Sequence, residues 1–184
     1  MNKKWLKSCR TILLILFAAT ILTSCVEDNM NASSKFSDLI EYALDDISLT
    51  IYFWNFDATN PRGAHMTVEW LVERAHSYRI VVAGQELAEH RDLLNQLANI
   101  ELAPSRENVH INARLYYVFE HIHYGEIFSF VGDIFTRSCN VVVLINGIEV
   151  ESDRIFYEMV FPFLPEIASE TLQKQVNGRW PVSE

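Results

Sequence analysis

The spacing of apolar residues predicts an α+β fold, a single domain on a mixed or mainly antiparallel sheet with a C-terminal β-meander and helices packed on at least one face. Three observations carry this expectation. Apolar residues alternate with polar ones over Ile47, Leu49, Ile51 and Phe53, and again over Val109, Ile111, Ala113, Leu115, Tyr117 and Phe119, the period of a strand with one buried face. Between these runs the spacing widens to three and four, as in a helix. Late in the chain, Asn146-Gly147 lies between apolar runs, and that dipeptide is the strongest short-range hairpin signal because both central residues of a type I′ turn need positive φ.

Taken in order, Phe36, Leu39, Ile40, Ala43 and Leu44 mark a short amphipathic helix after Ser34. Ile47 to Trp54 reads as a strand, and Asn55 to Met66, with Asn60-Pro61 and Arg62-Gly63, as a loop. Thr67 caps a second helix with Val68, Leu71, Val72 and Ala75 inward. Tyr78 to Val82 is a short strand, and Gly84 turns it into a third helix, Gln85 to Ala98, that Pro104 closes off. The long strand Val109 to Phe119 follows, then a turn at Tyr124-Gly125 into Ile127 to Phe135, where Gly132 suggests a bulge. Asn140 to Ile145 and Ile148 to Val150 flank the Asn-Gly turn. Ser152 or Asp153 caps a last helix carrying Ile155, Phe156, Met159 and Val160; Pro162 breaks it and Pro165 restarts it.

The first residues have a different character. Lys3, Lys4, Lys7 and Arg10 precede an apolar core from Thr11 to Leu22, 12 residues, well short of the roughly 20 that span a bilayer. Leu22-Thr23-Ser24-Cys25 ends it, with Glu27 and Asp28 close behind. A basic n-region, a short h-region and a small residue before the cleavage point are the parts of an export signal. With Leu22 three positions before Cys25, this stretch resembles the signal of bacterial lipoproteins. The resemblance covers residues 1 to 25 alone. It implies cleavage between Ser24 and Cys25, a diacylglycerol on the Cys25 thiol, and attachment to the outer face of the cell membrane or, in a host with two membranes, to the outer membrane. Val26, in place of an aspartate, favours the outer membrane in the second case. The expected organisation is a signal peptide at 1–24, a flexible tether at 25–33, the domain at 34–172 and a C-terminal tail at 173–184, loose from Gln175 except where Trp180 docks.

Charge narrows the partners. The chain has 15 basic and 24 acidic residues, and loss of Lys3, Lys4, Lys7 and Arg10 with the signal leaves 11 against 24. So acidic a chain lacks the basic stripe that phosphate binding requires, which argues against nucleic acid and leaves basic partners open. Membrane affinity must then come from the lipid, two acyl chains being enough for stable attachment. Of the three cysteines, Cys9 leaves with the signal and Cys25 takes the lipid. Cys139 is left without a disulfide partner and reads as a small buried hydrophobe.

Four features carry functional expectations. His121 and His123 lie at i and i+2, so on an extended strand both rings point one way. They are weak candidates for a zinc site, with His110, Glu120 or Glu126 as distant third ligands. The loop from Trp54 to Met66 sets Trp54, Phe56, Arg62 and His65 together, aromatic and arginine anchors of the kind that dominate protein interfaces; the competing reading packs Trp54 and Phe56 under the first helix. Tyr116, Tyr117, Phe119, Tyr124, Phe128, Phe130 and Phe135 crowd the meander. Most belong to the core, with Tyr116 on the polar face of a sheet that can serve for docking. Glu149, Glu151 and Asp153 read as a solvated face and a helix start.

No G-x-S-x-G, C-x-x-C, H-E-x-x-H, phosphate loop or EF-hand spacing occurs in the chain. The expectation is therefore a lipid-anchored, non-catalytic binding or accessory module for another envelope protein. The alternatives are a metal- or small-ligand-binding lipoprotein using His121 and His123, and an envelope hydrolase without a recognisable motif. Mass spectrometry of the N-terminal peptide checks the anchor: the mature chain begins at Cys25 and carries a diacylglycerol, and the Cys25→Ala protein carries no fatty acid. Acyl chains retained by that variant would refute the assignment.

Overall fold

The computed structural model describes residues 44–54, 66–105, 111–133 and 142–181. Six strands form one sheet: β1 (Ile47–Phe53), β2 (Tyr78–Ala83), β3 (Leu115–His121), β4 (Gly125–Gly132), β5 (Val142–Ile145) and β6 (Ile148–Glu151). Their spatial order is β2-β1-β3-β4-β5-β6, and each neighbouring pair is antiparallel. The helices are α1 (Val68–Trp70), which continues as a π-helical turn over Leu71–Ala75, then α2 (Gln85–Ala88), α3 (Arg91–Ala98), α4 (Ile155–Glu158) and α5 (Glu166–Arg179). This is the expected single α+β domain, with the mainly antiparallel form of the sheet. No helix among the described residues is long and apolar enough to cross a membrane.

Alternation decides what each sheet face meets. Leu49, Ile51, Phe53, Tyr117, Phe119, Phe130, Val143 and Ile145 share one face and are buried beneath Leu87, Leu94, Leu97, Phe156, Met159, Leu172 and Val176 of the helices. Cross-strand partners Tyr117 and Phe130 stack with centroids 4.8 Å apart, and Phe130 lies 5.6 Å from the Phe156 ring in the helical layer. The Tyr117 hydroxyl donates to the Phe156 carbonyl oxygen at 3.0 Å, which satisfies a polar tip that burial would otherwise penalise. A smaller cluster, Trp54, Met66, Leu71, Ala113 and Val131, lies on the opposite face under α1 and its π turn.

Local chemistry sets several boundaries. The Thr67 hydroxyl accepts from Trp70 N at 3.3 Å and starts α1. Asn146 and Gly147 take φ of 50° and 78° at the β5–β6 turn, as a type I′ turn requires. The Asp153 carboxylate accepts from Ile155 N at 2.9 Å at the start of α4. That helix ends at Glu158, four residues before Pro162, because a proline ring clashes with the carbonyl at i−4. Pro165 then occupies the position before α5.

Four expectations are corrected. The long strand does not begin at Val109: β3 starts at Leu115, and Val109 lies outside the described residues. Ahead of it, Ala113 N donates to Met66 O at 2.8 Å and the Asn112 side chain accepts from Met66 N at 2.7 Å, so this stretch pairs with the chain entering α1. Gln85 to Ala98 is two helices, separated at His90, whose ring stands edge-on to Phe163 at 5.0 Å. The bulge falls between Phe119 and Glu120, not at Gly132. Lastly, the C-terminal stretch is not loose from Gln175. Helix α5 runs to Arg179, and its end is held by Arg154, which donates to Trp180 O at 2.9 Å and to Asn177 Oδ1 at 2.9 Å and pairs with Glu158. Of the first expected helix only Leu44 is described, in a 3₁₀ turn over Leu44–Asp46.

Gly132 is needed for space. A Cβ there would stand 2.5 Å from Phe130 Cζ and 3.0 Å from the Tyr157 hydroxyl, both in fully buried rings. Gly132→Ala should therefore destabilise the domain by about 1–3 kcal/mol, as overpacking does, with a lowered denaturant midpoint and unchanged m-value as the readout. An unaltered midpoint would show that the aromatic layer has room to shift.

Candidate functional site

The second sheet face is only partly covered by α1 and its π turn, and the uncovered part forms an open groove of about 390 Å³. Its floor is Thr50 and Tyr52 of β1, Tyr116, Val118 and Glu120 of β3, Arg79 of β2 and Glu126 of β4. Its wall is Val68 and Glu69 of α1 with Val72 and Glu73 of the π turn. Antiparallel register assembles the floor, since Tyr52 is the cross-strand partner of both Arg79 and Tyr116. The rings of Tyr52 and Tyr116 stack at 5.9 Å and 23°. Arg79 lies over the Tyr52 ring at 5.7 Å and donates from Nε to its hydroxyl at 3.2 Å, while His76 meets the same ring edge-on at 5.4 Å.

The groove is acidic. Glu69, Glu73, Glu120 and Glu126 line it against Arg79, the single cation among the described lining residues, and Glu120 stands directly opposite Glu126 across β3 and β4, a pairing that disfavours the sheet. The Glu69 carboxyl is held below its usual range by a hydrogen bond with the Thr67 side chain. Partial burial, then the charges of Glu126 and Glu120, push the Tyr116 phenol up to about 12, so it stays a neutral hydrogen-bonding group. A second hollow of about 430 Å³ adjoins the first through Glu120, lined by Asp45, Asp46, Ile47, Ser48, Ala83, His121, Ile122 and Gly125.

Trp54 is not an exposed anchor. It is buried, its ring 5.8 Å from Trp70 and capped by the Arg114 guanidinium at 5.8 Å, a packing role taken against α1, the second of the expected helices, where the competing reading names the first. Phe56, Arg62 and His65 lie outside the described residues, as do Ser24, Cys25, His110, Phe135 and Cys139. His121 closes β3 and His123 sits in the turn beyond it, their rings 5.6 Å apart. The His121 Nδ1 already accepts from His123 N at 3.1 Å, which removes that nitrogen from metal ligation in this conformation. Among the described residues no group of three or more His, Cys, Asp or Glu side chains converges to hold a metal ion.

Tyr116 was legible as the wet-face tyrosine; Tyr52, Arg79, Glu69 and Glu73 were not, because only the register of three strands and the seating of α1 bring them together. Compared with family models, curated proteins and solved structures, the chain finds no match.

The tyrosines supply a pH test. An unfolded tyrosine releases its proton near 10, whereas Tyr116 holds it to about 12 and burial raises Tyr117 and Tyr157 as well. A raised folded-state value stabilises fully below pH 10 and is lost as pH climbs through the folded value, so stability should fall across the alkaline range. Phenolate absorbance of Tyr116→Phe should lose a transition near pH 12. Loss of one near pH 10 instead would contradict the groove's electrostatics.

Proposed function

We propose that the chain is an exported lipoprotein, held in the cell envelope by a diacylglycerol on Cys25, whose domain is a non-catalytic binding module for a basic segment of another envelope protein. The observation that carries the binding role is the groove itself: stacked Tyr52 and Tyr116 on its floor, four glutamates around it, and one arginine already engaged with a tyrosine hydroxyl. Aromatic faces attract lysine and arginine heads and cover their stems. Clustered carboxylates steer such a partner into place from a distance.

The facing pair Glu120 and Glu126 supports the reading in a second way. Like charges across a ladder weaken it by up to about 1 kcal/mol, and an approaching cation relieves this repulsion, so the arrangement favours the occupied state. The alternative, metal binding through His121 and His123, lacks a third ligand among the described residues. For an envelope hydrolase, the described residues that line the groove include no serine, cysteine or histidine to favour that reading.

Crosslinking in intact cells, with mass spectrometry of what is recovered, tests the reading. The full chain should capture one basic envelope protein, and recovery with the Glu120→Gln/Glu126→Gln protein should fall about tenfold, the effect of roughly 1.4 kcal/mol, and fall further as salt rises. The same variant should unfold at slightly higher denaturant, by about 0.5 kcal/mol, because a repulsive pair is gone. Equal recovery by the two proteins would refute the groove as the binding surface.

A further inference from the structure

Four large hydrophobic side chains are exposed among the described residues: Val81, Ile122, Tyr124 and Ile167. Two of them share one three-residue turn, Ile122 at 74% and Tyr124 at 73% exposure, at the tip of the β3–β4 hairpin. This tip is braced. Tyr124 N donates to His121 O at 3.2 Å, Gly125 turns the chain back with φ of 73°, and His123 N donates to His121 Nδ1 at 3.1 Å. The Tyr124 ring rests 4.6 Å from the His121 ring, so the pair is presented on an ordered turn.

The position of the tip is as informative as its composition. Ile122 N donates to the Asp46 carbonyl oxygen at 2.9 Å, placing the tip against the segment where the described domain begins. The chain from Cys25 to Ala43, 19 residues, joins that segment to the acylated cysteine and reaches at most about 65 Å when fully extended.

We propose that the β3–β4 tip, Ile122 to Tyr124, rests on the surface of the membrane that holds the lipid anchor, and so orients the domain on it. The proposal rests on the lipid-anchor reading. Tyrosine suits a bilayer interface, with a polar tip for the headgroup region and an apolar ring for the acyl boundary; Ile122 supplies a purely apolar contact. Two such side chains are too few to bind a bilayer from solution. The anchor removes that difficulty, because a second contact on a tethered chain forms at an effective concentration in the millimolar range. Charge selects the lipid. Asp45, Asp46 and Glu120 line the hollow beside Ile122 and repel anionic headgroups, so the fitting surface is zwitterionic. The same carboxylates repel a second copy brought tip to tip.

The test uses the full acylated chain in vesicles of phosphatidylcholine and phosphatidylethanolamine, in a Cys139→Ser background, with a nitroxide attached at His123→Cys or, at the far end of the sheet, at Ser77→Cys. Flotation is measured first, then collisional accessibility to oxygen and to a water-soluble nickel complex. The expected result is flotation of both proteins, with oxygen accessibility favoured at 123 and not at 77, and loss of that preference when Ile122→Ser and Tyr124→Ser are added. Flotation with a water-like label at 123 would overturn the contact and leave the anchor standing. Failure to float would overturn the anchor and this proposal with it. Spin–spin broadening at 123 without oxygen preference would show a second copy covering the tip, and also overturns it.

Discussion

The cross-strand stack of Tyr117 on Phe130 is the contact on which the rest of the domain depends. It joins β3 to β4 at the middle of the sheet, and through the Tyr117 hydroxyl and the Phe130–Phe156 contact it ties the sheet to the helical layer. Tight packing around it leaves no room for a Cβ at Gly132. Because strand side chains alternate with a period of two, holding Tyr117 inward forces Tyr116 outward. The groove's central tyrosine is thus placed by the core contact one residue away.

The two sheet faces divide the work between them. The inner face carries nearly all the apolar burial, with helices α2 to α5 over it. The outer face is left with a small cluster under α1 and a π turn that carries Leu71 into that cluster and Val72 and Glu73 toward the groove. Widened turns of this kind occur often at functional sites because they redirect a few side chains without ending the helix. Here the redirected residues form the wall that turns a flat sheet into a concave surface.

What was legible in the sequence follows from the range of the interactions involved. Strand β1, the Asn146-Gly147 turn, the Thr67 and Asp153 caps and the break before Pro162 all rest on chemistry within a few residues. The start of β3 was misplaced because alternation continues through Ile111 and Ala113 while the backbone there pairs with Met66, 47 positions before Ala113. The groove was illegible for the same reason. Glu120 and Glu126 stand out only as distant partners for the histidines, Glu69 and Glu73 not at all, and Tyr52, Arg79 and Tyr116 become neighbours only once the order β2-β1-β3 and its register are known.

Glu120 opposite Glu126 is the point where the domain departs from what stability alone would select. Either residue as glutamine, lysine or threonine would keep the ladder without the repulsion, and the neighbouring bulge between Phe119 and Glu120 gives the strand freedom to turn one of them away. Both nonetheless line the same groove. Local violations of sheet chemistry concentrate where a surface is shaped for something other than folding, and a carboxylate pair beside an aromatic floor is a poor packing element and a good receptor for a cationic side chain. Glu120 also borders the hollow beside the hairpin tip. If the tip lies on the membrane and the groove takes a basic segment, both as proposed, the groove opens close to the headgroups and that segment is the stretch of its partner nearest the bilayer.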